Sequence, residues 1–292
     1  MTVSGAPVTR RGVVPACRRR ANRSVPLRSL PLGQPIPGSV HSVSCSLPTM
    51  AEVIGYEERD PAVLAALQGG YPRFAAHPFV RAVTERLIRS HAAPGEQVWP
   101  VLSPRAAAAL VQHLGAGRIV DHDGVTAVFH AAEPALAARA KAWLQHTGTL
   151  LGSRAAEEAL VRAGVRTQLA EEEVFPGDAA AEVQRVLAPL FPTAHGDVLL
   201  AASGMGAMHA VFRAISDEQA ACGRTAWVQL GWLYLDTIAL LRKFTPDPAR
   251  DHLVLLDVAD RAGLERLFAD HGPRIAGVIV EMPTNPLLHA AD

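Results

Sequence analysis

Three short segments of the chain combine residue types that could do chemistry, and the most informative is Ser203-Gly204-Met205-Gly206. It follows the apolar run VLLAA and leads directly into a helical pattern. Glycines let the backbone approach a ligand closely, and the free N–H groups and positive dipole end of a helix complement an anion. The segment therefore predicts a phosphate-binding turn between a strand and a helix.

The residues around this turn argue against a dinucleotide as its ligand. A dinucleotide site would need GxGxxG or GxGxxA and a carboxylate at the end of the next strand. His209 occupies the sixth position, and the next strand, AWVQLG, ends without a carboxylate. The dinucleotide interpretation is therefore disfavoured, whereas a tight turn whose glycines serve packing alone stays open.

The second segment is a basic and aromatic loop, in which Tyr71-Pro72-Arg73 precedes His77-Pro78. The guanidinium of Arg73 could bind a phosphate through two hydrogen bonds. An exposed turn without a ligand would have the same composition, so this loop alone does not decide between the two.

The third segment is EMPTNP, which runs from Glu281 to Pro286 and ends a predicted strand with two prolines around a polar pair. Open α/β sheets bind ligands at the carboxyl ends of their strands. An ordinary exit from a strand into a loop is the alternative.

The elements that must position these segments alternate between helix and short apolar strand from residue 171 to residue 292. Such alternation predicts βαβ units, in which a mostly parallel sheet is covered by helices on both faces. The predicted helices are 178–190, 205–216, 232–243 and 260–270, and the predicted strands are VLLAA, AWVQL, LVLLD and AGVIVE.

Residues 51–170 are expected to form an N-terminal segment and a small mixed α/β module. Helical patterns cover most of residues 60–90 around the loop GGYPRFAAHP. The module that follows is predicted to contain strands VWPVL, RIVDH and VTAVFH and helices 104–114, 132–146 and 153–163.

Residues 1–50 contain seven arginines and no Asp or Glu, and Pro, Gly and Ser interrupt them repeatedly. Such a segment cannot bury a core, so residues 1–49 are expected to be disordered, mobile and dispensable. A transit peptide is one interpretation. Upstream sequence attached before a true start at Met50 is the favoured one.

Overall composition excludes several classes of function. Lys and Arg total 28 and balance 28 Asp and Glu, so we expect no nucleic acid and no anionic membrane surface as partner. Cys17, Cys45 and Cys222 form no CxxC pair, so no metal site is expected. No apolar run approaches the roughly 20 residues of a spanning helix. A soluble protein of a reducing compartment such as the cytoplasm, with a small molecule as its partner, is the expectation.

Taken together and in this order, the three segments resemble the Cys/Met-metabolism family of pyridoxal-phosphate enzymes, most closely fungal-type cystathionine gamma-synthases. The resemblance covers residues 51–91 and 171–292 and implies the type I fold of pyridoxal-phosphate-dependent transferases. It also implies a homodimer or homotetramer for the full-length protein. In the family, the positions of Tyr71 and Arg73 bind the cofactor phosphate of the neighbouring subunit.

The resemblance assigns the other binding positions residue by residue. Ser203, Gly204 and Met205 correspond to the turn that holds the phosphate in its own subunit. Asn285 corresponds to the asparagine near the phenolic oxygen of pyridoxal 5′-phosphate.

Two departures from the family pattern matter. The family has YGGTY where this chain reads LGWLY, so Trp232 is the candidate for stacking on the cofactor ring, Tyr234 is a second, and a core role for both is the alternative. The family's Schiff-base lysine lies downstream of PTNP. Lys141 and Lys243 do not match its position and are expected to be solvated surface charges.

The resemblance implies γ-replacement on an O-acylhomoserine with cysteine as the thiol, the reaction of a cystathionine gamma-synthase. A gamma-lyase or a homoserine sulfhydrylase of the same family is the alternative, and so is a non-catalytic fragment or pseudoenzyme. Because no catalytic lysine is identified, this chain by itself is expected to be an inactive, truncated form of such an enzyme.

Overall fold

The computed structural model describes residues 30–67, 76–172, 175–190, 198–284 and 287–290. Within the first range, the short strands β1 (Pro35–Ile36) and β2 (Ser44–Cys45) pair in antiparallel fashion. His41, Ser42, Cys45 and Ser46 are buried. Residues 30–49 therefore differ from the disordered tail that their composition predicts, while residues 1–29 lie outside the described part.

Two short helices follow this N-terminal strap, which we define as residues 30–46. Helix α1 spans Met50–Glu57 and α2 spans Pro61–Ala66. Helix α1 begins with a capping box, in which Thr49 and Glu52 satisfy each other's backbone N–H groups. The strap contacts α2 where Gly33, at φ 77°, passes close to the carbonyl oxygen of Ala66.

The N-terminal module contains an antiparallel sheet in the order β3-β5-β4. The turn between β4 and β5 consists of Asp123 and Gly124, both with positive φ, as in the two-residue turns that match the twist of a hairpin. The elements are α3 (Pro78–His91), β3 (Glu96–Val101), α4 (Pro104–Leu114), β4 (Arg118–His122), β5 (Val125–Ala131), α5 (Pro134–Thr147) and α6 (Ser153–Arg162).

Strand β5 lies at the centre of this sheet and carries apolar side chains on both faces. Phe129 and its neighbours pack against α3 and α6. Val128 points the other way and packs against Leu110 of α4 and Leu144 of α5. Because both faces are covered, the module has a core of its own.

The C-terminal part contains a parallel sheet in the order β7-β6-β8. The chain moves from β6 outward to β7 through α9, and then returns across β6 to β8 through α11. Because the two connections run in opposite directions across the sheet, right-handed crossovers place α9 and α11 on opposite faces. The elements are α7 (Ala179–Leu187), α8 (Gly204–Ala220), β6 (Ala226–Leu230), α9 (Leu235–Phe244), α10 (Pro248–Asp251), β7 (His252–Leu255), α11 (Arg261–His271) and β8 (Ile275–Val280).

One predicted strand is wrong. Residues 198–202, the VLLAA run, have no regular structure, and the side chain of Leu199 is 87% exposed. A β-strand needs a neighbour for its backbone N–H and C=O groups. In the described part of the chain, no strand lies beside this run.

None of the helices in the described ranges has the length and apolar character that a membrane span requires.

Candidate functional site

The carboxyl ends of the three parallel strands are tied together by hydrogen bonds. The N–H of Gly231 donates to the carbonyl oxygen of Leu255 at 2.7 Å, which joins the ends of β6 and β7. The N–H of Tyr234 donates to Oε1 of Glu281 at 2.8 Å, which joins the loop after β6 to the end of β8. The LGWLY run and the EMPTNP segment thus meet at one edge of the sheet.

Gly231 is required by the geometry of this edge. Its φ is 78°, and a Cβ there would lie 2.5 Å from Cγ1 of Val258 and 3.5 Å from Cγ2 of Thr284. A side chain would strain the backbone and displace Val258, whereas its distance from Thr284 would be an ordinary van der Waals contact. The close approach lets the loop after β6 lie directly against the turn after β8.

Residues 232–234, in the loop after β6, alternate between surface and core. Leu233 is fully buried, whereas Trp232 is 39% exposed and Tyr234 is 37% exposed. The alternative in which both aromatics belong to the core is therefore wrong. Both rings lie at the edge of the sheet, and stacking of Trp232 on a cofactor stays a prediction.

The turn after β8 is closed by hydrogen bonds around Thr284, a buried residue. The N–H of Thr284 donates to the carbonyl of His289 at 2.8 Å, and the N–H of His289 donates to Oγ1 of Thr284 at 2.9 Å. Asn285 itself lies outside the described residues. Tyr71 and Arg73 do too, so their assignment to a phosphate stays a prediction.

The SGMG turn begins helix α8, as predicted. Ser203 is the N-cap, and its Oγ accepts a hydrogen bond from the N–H of Gly206 at 3.0 Å. A Cβ at Gly204 would meet no atom within 4 Å. Among the described residues, the N–H groups of Gly204 and Met205 have no acceptor, so two donors face open space at the helix start.

Helix α8 runs antiparallel to β6, which places this helix start on the side of the carboxyl edge. Near the other end of the helix, Oγ of Ser216 accepts a hydrogen bond from Nε1 of Trp227, close to the amino end of β6, at 3.0 Å. Near its start, Met205 packs with the cluster that contains Leu233. The turn, Trp232 and Glu281 thus lie towards one edge of the sheet.

The end of α5 lies against this helix start, a contact that sequence reasoning missed. Gly148 caps α5 with φ 64°, and its carbonyl oxygen is 3.5 Å from Oγ of Ser203, the limit of a hydrogen bond. A Cβ at Gly148 would lie 2.3 Å from that Oγ and 2.5 Å from the nitrogen of Gly206. A glycine after a helical pattern signals a C-cap, but it does not say what the cap contacts.

Each lysine lies on a helix that has one end near the carboxyl edge, and neither lies at that end. Lys141 is exposed on α5, as expected. Lys243 differs from expectation, because it is half-buried near the end of α9, where burial lowers the pKa of its amine. Since α9 starts at the carboxyl edge, its ninth residue lies about 12 Å further along the helix axis.

Comparisons with known proteins give similarity along nearly the whole chain. It is 40% identical over 267 residues to the L-2-amino-4-chloropent-4-enoate dechlorinase/desaturase of Streptantibioticus cattleyicolor, covering 89% of this chain and 52% of the relative. It is 41% identical over 61 residues to the cystathionine gamma-synthase of Neurospora crassa, covering 20% and 10%. It is 23% identical, over an alignment of 342 positions that includes gaps, to an alanine racemase of Aspergillus violaceofuscus, covering 91% of this chain and 56% of the relative.

Relatives with these names suggest a pyridoxal-phosphate-dependent family of cysteine and methionine metabolism. The chain spans about half the length of the two relatives that match most of it. No family model matches the chain, and no solved structure matches it.

The residues at the start of α8 fit the phosphate of such a cofactor on one side. The two free N–H donors and the open space at Gly204 suit an anion that approaches from solvent. The opposite side is occupied by the end of α5. An anion would therefore bind the outer face of the turn.

Proposed function

We propose that this chain contributes the phosphate-binding turn and the ring-stacking aromatic of a pyridoxal-phosphate-dependent enzyme that acts on an L-α-amino acid. The observation that supports this proposal most directly is the hydrogen bond between the N–H of Tyr234 and Glu281, which holds the LGWLY segment and the EMPTNP segment at one sheet edge. Met205 and Leu233 pack in one cluster and link the SGMG turn to the same edge.

Each group has a distinct task in this proposal. The N–H donors of Gly204 and Met205 hold the phosphate, and Trp232 covers one face of the ring. Glu281 orients the loop that carries Trp232. When bound, pyridoxal phosphate supplies an electron sink next to the α-carbon of the amino acid.

For the whole protein, we propose departure of a substituent from the γ-carbon of the amino acid. The names of two relatives support this, because chlorine in 2-amino-4-chloropent-4-enoate is on the γ-carbon and a cystathionine gamma-synthase is named for that carbon. Replacement on an O-acylhomoserine by cysteine is the first candidate. Elimination without replacement is the second, because the dechlorinase/desaturase is similar along 89% of this chain.

We expect the purified 292-residue chain to bind pyridoxal phosphate weakly at the α8 turn and to show no turnover. Placing a carboxylate there through Gly204→Asp should weaken binding about tenfold, because like charges repel at the helix start. Binding is measured by the absorbance of bound pyridoxal phosphate and by its displacement with inorganic phosphate.

The matched control is Gly272→Asp, since a side chain at Gly272 also meets no atom within 4 Å and lies before β8, at the opposite edge. It should bind the cofactor like the wild type. Equal binding by the Gly204→Asp variant would contradict the phosphate site. Turnover of O-acylhomoserine with cysteine, together with borohydride-stable labelling of Lys141 or Lys243, would contradict the expected inactivity.

A further inference from the structure

A serine, a histidine and a glutamate form a hydrogen-bonded chain where the N-terminal strap meets helix α6. Oγ of Ser153 lies 3.2 Å from Nδ1 of His41, and Nε2 of His41 lies 3.1 Å from Oε2 of Glu157. The side chains of His41 and Glu157 are only 2% and 3% exposed. This cluster belongs to the N-terminal module and not to the carboxyl edge of the parallel sheet.

The partners of Glu157 hold its carboxylate in place. Its Oε1 accepts a hydrogen bond from the N–H of Ala170 at 3.0 Å and pairs with Arg166 at 2.9 Å. When Nε2 of His41 donates to Oε2 of Glu157, the lone pair of Nδ1 is left to accept a hydrogen bond from the hydroxyl of Ser153. This is the charge arrangement of a nucleophile, a base and an orienting acid.

The imidazole ring of His41 is held by aromatic neighbours. The ring of His77 stacks on His41 with centroids 6.1 Å apart, and the ring of Phe79 meets it edge-on at 5.8 Å. A second carboxylate oxygen, Oε2 of Glu172, lies 3.6 Å from Nε2. A base fixed in this way does not have to reorient before it accepts a proton.

The serine is the first residue of α6, a helix of 10 residues whose N-cap, Gly152, offers no side-chain acceptor. Within the described ranges, the N–H groups of Arg154 and Ala155 have no partner. Donors at a helix start beside a nucleophile can stabilise the oxygen anion that forms during acyl transfer. A Cβ at Gly152 would meet no atom within 4 Å, so the approach is open.

A cleft of about 520 Å³ opens beside His41, Glu157 and Arg154, the residue that follows Ser153. A volume in this range suits a small organic ligand. Its lining includes His41, Arg154, Glu157, Glu158, Glu171 and Glu172. Three of these glutamates are paired with arginines: Glu172 with Arg154, Glu158 with Arg162 and Glu157 with Arg166. Glu171 has no ion pair among the described residues, so one negative charge of the lining is not offset, which favours a ligand that carries an ammonium group over an anionic one.

We propose that Ser153, His41 and Glu157 are the catalytic residues of a hydrolytic site for small carboxylic esters that carry an amino group. Oγ of Ser153 attacks the acyl carbon while its proton passes to Nδ1 of His41. The C–O bond to the alcohol breaks, and the alcohol leaves with that proton. Water then gives a proton to Nδ1 of His41 and attacks the acyl carbon of the acyl-serine. The bond from that carbon to Oγ breaks, the acid leaves, and His41 returns the proton to Oγ of Ser153. The balance is ester plus water to acid plus alcohol.

Active-site labelling of the full chain tests this site. A fluorophosphonate probe should label Ser153, as located by peptide mass spectrometry, and Ser153→Ala should lose that label. Glu157→Gln keeps the size of the side chain and should slow labelling about 100-fold, because the histidine loses its orienting charge. Hydrolysis of the 4-nitrophenyl ester of glycine should exceed that of 4-nitrophenyl succinate.

Ser90→Ala and Glu85→Gln are the matched controls, since both residues are exposed on α3 away from the cleft, and both variants should keep the label and the wild-type rate. A His41→Ala variant would not distinguish a catalytic role from a structural one, because it also removes the contact that holds the strap. If Ser153 takes no label in a folded chain, or Glu157→Gln labels at the wild-type rate, the three residues only fasten the strap and the proposal is wrong. Neither result bears on cofactor binding at α8.

Discussion

Replacing Gly277 by alanine is expected to destabilise the parallel sheet by about 2 kcal/mol, as is typical for overpacking a dense core. Gly277 pairs with Trp227 across β8 and β6. A Cβ at Gly277 would lie 2.6 Å from Cζ3 of the indole ring. That ring is 3% exposed, packs on Phe212 and donates to Ser216, so it cannot turn away without losing these contacts. Urea unfolding followed by far-UV circular dichroism measures the change.

Two comparison variants isolate the clash. Gly272→Ala adds the same methyl group where nothing lies within 4 Å, and its free energy of unfolding should stay within about 0.5 kcal/mol of the wild type. In a Trp227→Leu background, Gly277→Ala should cost much less than it does alone, because the ring is gone. An additive double variant would show that the indole is not the cause.

The free energy of unfolding is expected to fall as the pH is lowered below about 6.5. Burial is the first cause that lowers the pKa of five histidines, namely His77, His113, His146, His209 and His252. Between the ordinary pKa of 6.5 and the lower folded value, the unfolded chain binds more protons. Their contribution is therefore complete above the ordinary value and is lost progressively as the pH falls.

The contacts of His77 show why protonation is costly there. Its Nδ1 accepts a hydrogen bond from the N–H of Phe79 at 3.2 Å at the start of α3, and its Nε2 donates to the carbonyl of Val40 at 2.8 Å. A proton on Nδ1 removes that helix cap. His41 and Arg81 also lower the pKa of His77, whereas Glu157 raises it.

Replacement of His77 by asparagine supplies a capping oxygen that does not titrate. The variant should lose less stability than the wild type between pH 7 and pH 5, as measured by urea unfolding at each pH. A substitution at the surface, Ser90→Ala, should leave the slope unchanged. The same slope in the wild type and the His77→Asn variant would exclude His77 from the acid response.

Much of the fold follows from local pattern. The bounds of β4, β6 and α4 agree with the runs RIVDH, AWVQL and residues 104–114, because alternating or continuous apolar character and turn residues define them. The run VLLAA has the same apolar character, yet residues 198–202 form no strand. Composition identifies a segment that favours a strand, but it does not supply the neighbour that the strand requires.

Features that depend on distant residues were not predictable in the same way. The composition of the strap predicts disorder because it has no periodic apolar face, but His41 is held by Ser153 and Glu157, which lie more than 100 residues later. In the candidate site, the helix start at Ser203 followed from the SGMG pattern. The contact of Gly148 with that turn, and the tie between Tyr234 and Glu281, arise only when separate elements pack.

The two-residue turn at Asp123 and Gly124 has a consequence for the order of folding. A hairpin joined so tightly forms in about 1–10 μs, since the loop that must close contains only two residues. Every pairing in the β7-β6-β8 sheet is parallel and waits for a crossover helix, so it involves contacts far apart in sequence and forms more slowly. The N-terminal module should therefore assemble first, and the finished end of α5 then provides a preformed surface on which the start of α8 is positioned.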